Sequence, residues 1–193
     1  MRYWKVLDDK GHACHGGTFA YDLPKNGKPG TWTPRIPNIE ACNRGYHVCR
    51  DADLVHWCNG ATIYACEVQG KVIAQDDKVV AESIRLVAPT PWDAVTARLF
   101  AVECAADVMH LAPGSDAVLE VAYRYALGDA TQGELDAAWG AARGAVWDAA
   151  RGAAWGAAWG AARDAARGAA YARHTARLLW WIGASADYPQ GDK

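Results

Sequence analysis

A four-residue repeat across residues 139–171 constrains this chain more than anything else in it. Trp139, Arg143, Trp147, Arg151, Trp155, Trp159, Arg163, Arg167 and Tyr171 hold its large position. Gly or Asp follows each of the first eight, and Ala fills nearly everything else. Such Ala-rich sequence favours helix. Each residue advances a helix by about 100°, so a step of four overshoots one turn by about 40°. Over eight steps the large side chains wind roughly 320° around the rod, and no single face stays buried.

Three arrangements satisfy that geometry. One is a long helix clasped on all sides, with Gly and Ala permitting close backbone approach. Another is an intermolecular bundle with right-handed supercoil, because the period exceeds 3.6. The third is a break at one of the glycines into a helical hairpin. Each Gly costs about 1 kcal/mol of helix propensity relative to Ala, which close packing would offset. Trp and Arg dominate interface hot spots, so the nine large residues are the candidate surface for a protein partner or a second copy of the chain. Base stacking would use the same residue types. However, Asp148 and Asp164 interrupt the basic series, and the formal charge is −2, which argues against nucleic acid.

The grammar before the repeat differs. Up to about Val87 the chain is punctuated by Gly, Pro and Asn, and its short apolar runs read as strands: Tyr3–Leu7, Thr62–Val68, Val72–Ala74 and Val79–Val87. Residues 22–44 read as one long irregular loop, a length that usually accompanies function. Asp51–Cys58 reads as one short helix. After Pro89, Thr90-Pro91-Trp92-Asp93 carries a helix-start pattern running to about Leu111. Ser115 caps a second helix that ends at Gly128, and Thr131-Gln132-Gly133-Glu134 is a capping box for a third. The expectation is an α+β chain: a small α+β domain at 1–88, then an all-α region at 89–193 holding the long helix or hairpin. The start of the sequence lacks the apolar run of a signal peptide, and the longest uncharged stretch of the Ala-rich region is too short to span a bilayer. With six Cys and no leader, a reducing cytoplasm is expected, with free thiols rather than disulfides.

The densest chemical constellation is in the first half. Cys14, Cys42, His47 and Cys49 could supply four zinc ligands, although no pair has the two-residue spacing of a zinc knuckle. Cys as small buried packing residues is the competing reading. A Cys–His nucleophile is conceivable with Cys49 or Cys14 and His47 or His15, but no orienting third group is visible. No resident cofactor is implied, since the chain has no phosphate-loop or dinucleotide motif.

Residues 1–87 resemble a family of short phage and bacterial proteins to which no activity is assigned. The likeness lies in Lys5-Val6, Cys14-His15-Gly16, Phe19-Ala20-Tyr21, the block from Cys42 to Cys49, Val68…Gly70…Val72, and Lys78-Val79…Ile84. The same motifs are similar in order to those of the ADP-ribosyltransferase fold. His15-Gly16-Gly17-Thr18 stands for its first motif and Gly45-Tyr46-His47-Val48 for its second, while Asp77-Lys78-Val79-Val80 takes the place of its Glu-bearing segment. The resemblance implies a nucleotide pocket built on His15, Gly16, Thr18, Tyr46, His47 and Lys78. A lysine replaces the catalytic Glu, and a cation there opposes the positive charge that develops on the ribosyl group. The second half resembles a helical family of immunity proteins through Arg98-Leu99…Cys104-Ala105-Ala106-Asp107-Val108, Gly128 and residues 134–173. That likeness implies neutralisation of a toxin or host-defence protein by binding. The leading expectation is therefore a non-catalytic interaction protein of a phage or mobile element. The alternative is a nucleotide- or NAD-derived-ligand binder on a degenerate transferase-like fold.

Overall fold

The computed structural model describes residues 2–14, 17–58, 62–106, 116–141 and 159–189, with the backbone alone over 159–169. It is α+β, with one antiparallel four-stranded sheet and, among the described residues, four α-helices. The strands are β1 (Tyr3–Leu7), β2 (Tyr46–Val48), β3 (Thr62–Ala74) and β4 (Val79–Pro89). Their spatial order is β1-β3-β4-β2. The sheet curls until its two outer strands touch: Trp4 and Cys49 exchange both backbone hydrogen bonds, each 2.8 Å. Their side chains and the inward faces of β3 and β4 close a core around Leu7, Val48, Val79, Ile84 and Leu86.

Two expectations are corrected within the sheet. The runs at Thr62–Val68 and Val72–Ala74 form one strand, not two, because the ladder to β4 continues across a bulge between Gln69 and Val72. Gly70 makes the bulge with φ +82°, a left-handed conformation that glycine adopts without steric cost. Asp51–Cys58 is not a helix; only Leu54–His56 forms a single 3-10 turn. Asp53 takes that segment's hydrogen-bonding capacity instead, accepting from the Arg50 backbone N–H at 2.9 Å and from its guanidinium at 2.6 and 2.8 Å.

The irregular stretch at 22–44 is tied to the sheet without becoming a strand. The N–H groups of Gly30, Thr33 and Ile36 donate to the carbonyls of Leu86, Ile84 and Glu82, at 2.8–2.9 Å. Prolines at 29, 34 and 37 lack donors, so a full ladder is unavailable and every third residue bonds.

The chain clusters into two compact units. Met1–Asp93 with Thr175–Tyr188 forms one, and Ala94–His174 with Pro189–Lys193 the other. The sheet unit thus takes in the end of the last helix. Leu178 and Ile182 are buried, and Arg2 Nη1 donates to the Ala184 carbonyl at 2.6 Å. In the helical unit, α1 (Ala94–Ala106) and α2 (Asp116–Leu127) are followed by α3 at residues 132–141. Both legs of the capping box at the start of α3 form: Thr131 N–H donates to Glu134 at 2.7 Å and Glu134 N–H to the Thr131 hydroxyl at 3.2 Å. The hydroxyl of Thr90 accepts the Trp92 N–H at 3.4 Å and has a second partner as well. It donates to Ile63 O at 2.9 Å, anchoring the chain to β3, and α1 starts only at Ala94. The last helix, α4, spans Trp159–Trp181. The expected extension of α1 to Leu111, and Ser115, lie outside the described residues. No helix among the described residues is long and apolar enough to cross a membrane.

Candidate functional site

The sheet unit carries a cleft of about 580 Å³ beside the place where β1 meets β2. Trp4, Lys5 and Val6 line it from β1, and Gly45 to Cys49 from β2 and its approach. Ala13, Cys14, residues 17–19, Tyr21, Ile36 and residues 42–44, with Trp57 and Lys78, line the rest. Five lining residues are aromatic, three are basic (Lys5, Arg44, Lys78), and none of the described lining residues is Asp or Glu.

Its aromatic wall is packed ring against ring. Phe19, Tyr21 and Tyr46 form a mutually edge-to-face cluster with ring centroids 5.1–6.2 Å apart, a geometry that ring quadrupoles favour. The Tyr46 hydroxyl donates to the Pro34 carbonyl at 2.9 Å, so the irregular stretch fixes one ring. Trp57 is held by its indole N–H, which donates to Asp77 O at 2.7 Å, and the Lys78 ammonium lies 4.8 Å from the centre of its ring.

His47 is pinned in one tautomer. Its Nε2 accepts the Cys42 backbone N–H at 3.1 Å, which places the proton of the neutral ring on Nδ1. Burial, then the neighbouring Lys5 and Lys78 side chains, lower its pKa below the ordinary histidine value. The ring is therefore neutral at physiological pH. Desolvation pulls the Lys78 ammonium down, but the Asp77 carboxylate and the adjacent Cys42 sulfur outweigh it and raise its pKa. Lys78 keeps its charge. Lys5 is the opposite case: 5 % exposed, its Nζ donates to the His47 carbonyl at 2.8 Å, and burial lowers its pKa against the smaller opposing pull of Cys66, Cys49 and Cys14.

Of the residues expected to hold a ligand, Thr18, Tyr46, His47 and Lys78 all line this one cleft. His15 and Gly16 lie outside the described residues. Cys14, Cys42, His47 and Cys49, the candidate zinc ligands, line it too. Even so, among the described residues no group of three His, Cys, Asp or Glu side chains is placed to hold a metal ion. A Cys–His nucleophile on β2 is corrected by the same geometry. The imidazole bonds a backbone amide rather than a thiol, and burial pushes the Cys49 thiol up to about 12, so that sulfur stays protonated.

No family model, curated protein or solved structure matches this chain.

Sequence reasoning missed Lys5, Tyr21 and Trp57 as members of the site. Only the pairing of β1 beside β2 brings Lys5 to His47, and those strands are some forty residues apart in sequence. Of the candidate partner surface, Trp139 is described and is 51 % exposed, whereas Tyr171 is half-buried. Trp159, Arg163 and Arg167 lie on α4, where the backbone alone is described. Arg143, Trp147, Arg151 and Trp155 lie outside the described residues.

Proposed function

We infer that the sheet unit is a binding module for a small anionic ligand that carries a ring, of the nucleotide or NAD-derived class. One observation carries the reading: an aromatic-walled cleft with three basic residues and no carboxylate in its described lining. Lys78 and the exposed Arg44 are cations that attract an anion, Lys78 even while it pairs with Asp77 at 3.2 Å. The aromatic lining suits a ligand that carries a ring, and the neutral His47 ring holds a proton on Nδ1 that can be donated. The likeness to the ADP-ribosyltransferase motifs points the same way, with Lys78 where a catalytic carboxylate would stand. The module then holds its ligand without turning it over, because a cation at that place disfavours a ribosyl cation.

Isothermal titration of the full chain with AMP, NAD and ADP-ribose tests this. Binding of at least one is expected, with affinity lowered about tenfold or more in Lys78→Met and in His47→Ala, a loss of about 1.4 kcal/mol or more. Absence of binding by all three, or affinity untouched in both variants, overturns it.

A second reading is favoured by the exposed apolar groups of the helical unit, Trp139, Leu127 and Tyr123. In this reading the chain is an interaction protein from a phage or mobile element that neutralises a toxin or host-defence protein in the cytoplasm. Alanine at Trp147, Trp155 and Trp159 is then expected to abolish capture of that partner from the host while the sheet unit keeps its ligand affinity. Unchanged capture removes the reading. A self-assembling role is a further form of it, and light scattering that shows a monomer removes that.

A further inference from the structure

We propose that Lys5 is an imine-forming amine: it captures, through a reversible covalent bond, a ligand that carries both an anionic group and an aldehyde. The proposal rests on the ligand reading above and names the chemistry that reading leaves open.

Lys5 sits at the middle of β1, lines the cleft and is 5 % exposed. Among the described residues no carboxylate lies within ion-pair distance of it. Its ammonium donates to one neutral acceptor, the His47 carbonyl at 2.8 Å, and the face of Tyr21 lies 5.1 Å away. A lysine that only stabilises a fold usually reaches solvent or a carboxylate. This one is enclosed by ring carbons and thiols. A desolvated amine with no counter-ion favours its neutral form, which has a free lone pair and is the nucleophile of carbonyl chemistry. The lowered pKa of Lys5 agrees with that placement. Lys78 stays cationic in the same cleft, so the two lysines divide the work: Lys78 attracts the anion and Lys5 bonds to the carbonyl.

The step balances within the site. The Lys5 nitrogen lone pair attacks the carbonyl carbon, and the carbonyl π pair takes a proton from solvent. The carbinolamine oxygen then leaves as water with that proton and one N–H proton. A protonated C=N bond remains, and its single N–H can keep the hydrogen bond to the His47 carbonyl. No oxidant or reductant is needed. The ring-opened ribose of ADP-ribose has the required aldehyde, as do other phosphorylated aldehydes.

The test uses the intact wild-type chain with pyridoxal phosphate and, separately, ADP-ribose. Cyanoborohydride traps any imine, and peptide mass spectrometry locates it. At pH 7 the adduct is expected at Lys5 at least about tenfold faster than at the exposed Lys10, Lys25 and Lys28, since a ligand seated in the cleft holds its carbonyl beside the Lys5 amine alone. Denaturant is expected to erase that preference. Labelling of the exposed lysines with none at Lys5 overturns the proposal, and because wild-type protein is mapped, no variant has to fold. AMP binding without any Lys5 adduct sinks the imine alone, whereas loss of both in the wild type sinks the ligand reading with it.

Discussion

The sheet unit and the helical unit each present a concavity, and the two differ in chemistry because they differ in construction. The cleft of the sheet unit is built from strands distant in sequence, and its polar atoms are fixed by backbone bonds: Nε2 of His47 by the Cys42 amide, Nζ of Lys5 by the His47 carbonyl. The concavity of the helical unit, about 220 Å³, is lined by Ala101, Ala105, Val118 and Ala122 with Leu119 and Leu135 among their neighbours. It arises because small side chains on α1 and α2 leave space between their backbones. Directed donors and basic side chains suit a specific small ligand. An apolar gap between Ala-rich helices offers shape and little direction. The comparison teaches that in this chain chemistry follows long-range pairing, whereas the repetitive sequence supplies surface.

The sharpest way to break that contrast is to weaken the sheet core. Ile84 is fully buried in β4 and packs among Leu7, Val48 and Leu86. Ile84→Ala is expected to cost about 2–5 kcal/mol in chemical denaturation. A loss below about 1 kcal/mol would mean that the core is loosely packed and the cleft not preorganised. Next in size is Asp53→Ala. Asp53 is buried and its carboxylate gathers three donors from Arg50. Arg50 also donates to the Gln75 and Asp76 carbonyls at 2.7 and 3.1 Å, so the pair braces the turn between β3 and β4 next to Asp77 and Lys78. A loss of about 1.5–3 kcal/mol is expected, together with weaker AMP binding, since Lys78 is set by that turn. Normal binding in a destabilised variant would separate the turn from the site.

Legibility in the sequence follows the same division. β1 and β4 read directly as apolar runs because most of their residues are buried, Val79 to Ser83 on both faces. β2 did not read, since three residues carry too little periodicity; Tyr46 and Val48 point inward and His47 outward, but Gly45 and Cys49 hide the alternation. Gly70 split β3 in the reading because a glycine within a strand and a glycine between strands look alike without the partner strand. The four described ligand candidates were legible as motif residues, while Lys5 was hidden. An isolated lysine among apolar residues on a strand normally faces solvent, and only the curl of the sheet turns this one inward. α2 and the start of α3 were legible from local chemistry. Gly128, at φ +91°, ends α2, and Asp129 N–H bonds back to the Arg124 carbonyl at 2.7 Å.

Within the helical unit, the cap of α3 is the first place where sequence and structure can be tested together. Thr131→Ala removes the acceptor for Glu134 N–H and the hydroxyl that bonds the Glu134 carboxylate at 2.9 Å. A loss of about 1 kcal/mol is expected, with faster amide exchange in the first turn of α3. Exchange that stays slow would show that contacts elsewhere, rather than the cap, hold that helix.

The smallest expected effect is the most informative about partners. Leu127 closes α2 and is 58 % exposed, so in an isolated chain Leu127→Ala removes almost no buried area and should change stability by no more than about 0.5 kcal/mol. A larger loss has a definite meaning: something covers Leu127 in solution. If that loss grows with protein concentration, the cover is a second copy of this chain, because association stabilises by mass action. If it appears only when host extract is present, the cover is a foreign protein. If it stays within the expected limit under both conditions, this end of α2 is plain surface, and binding to a partner must rest on the Trp and Arg residues of the repeat.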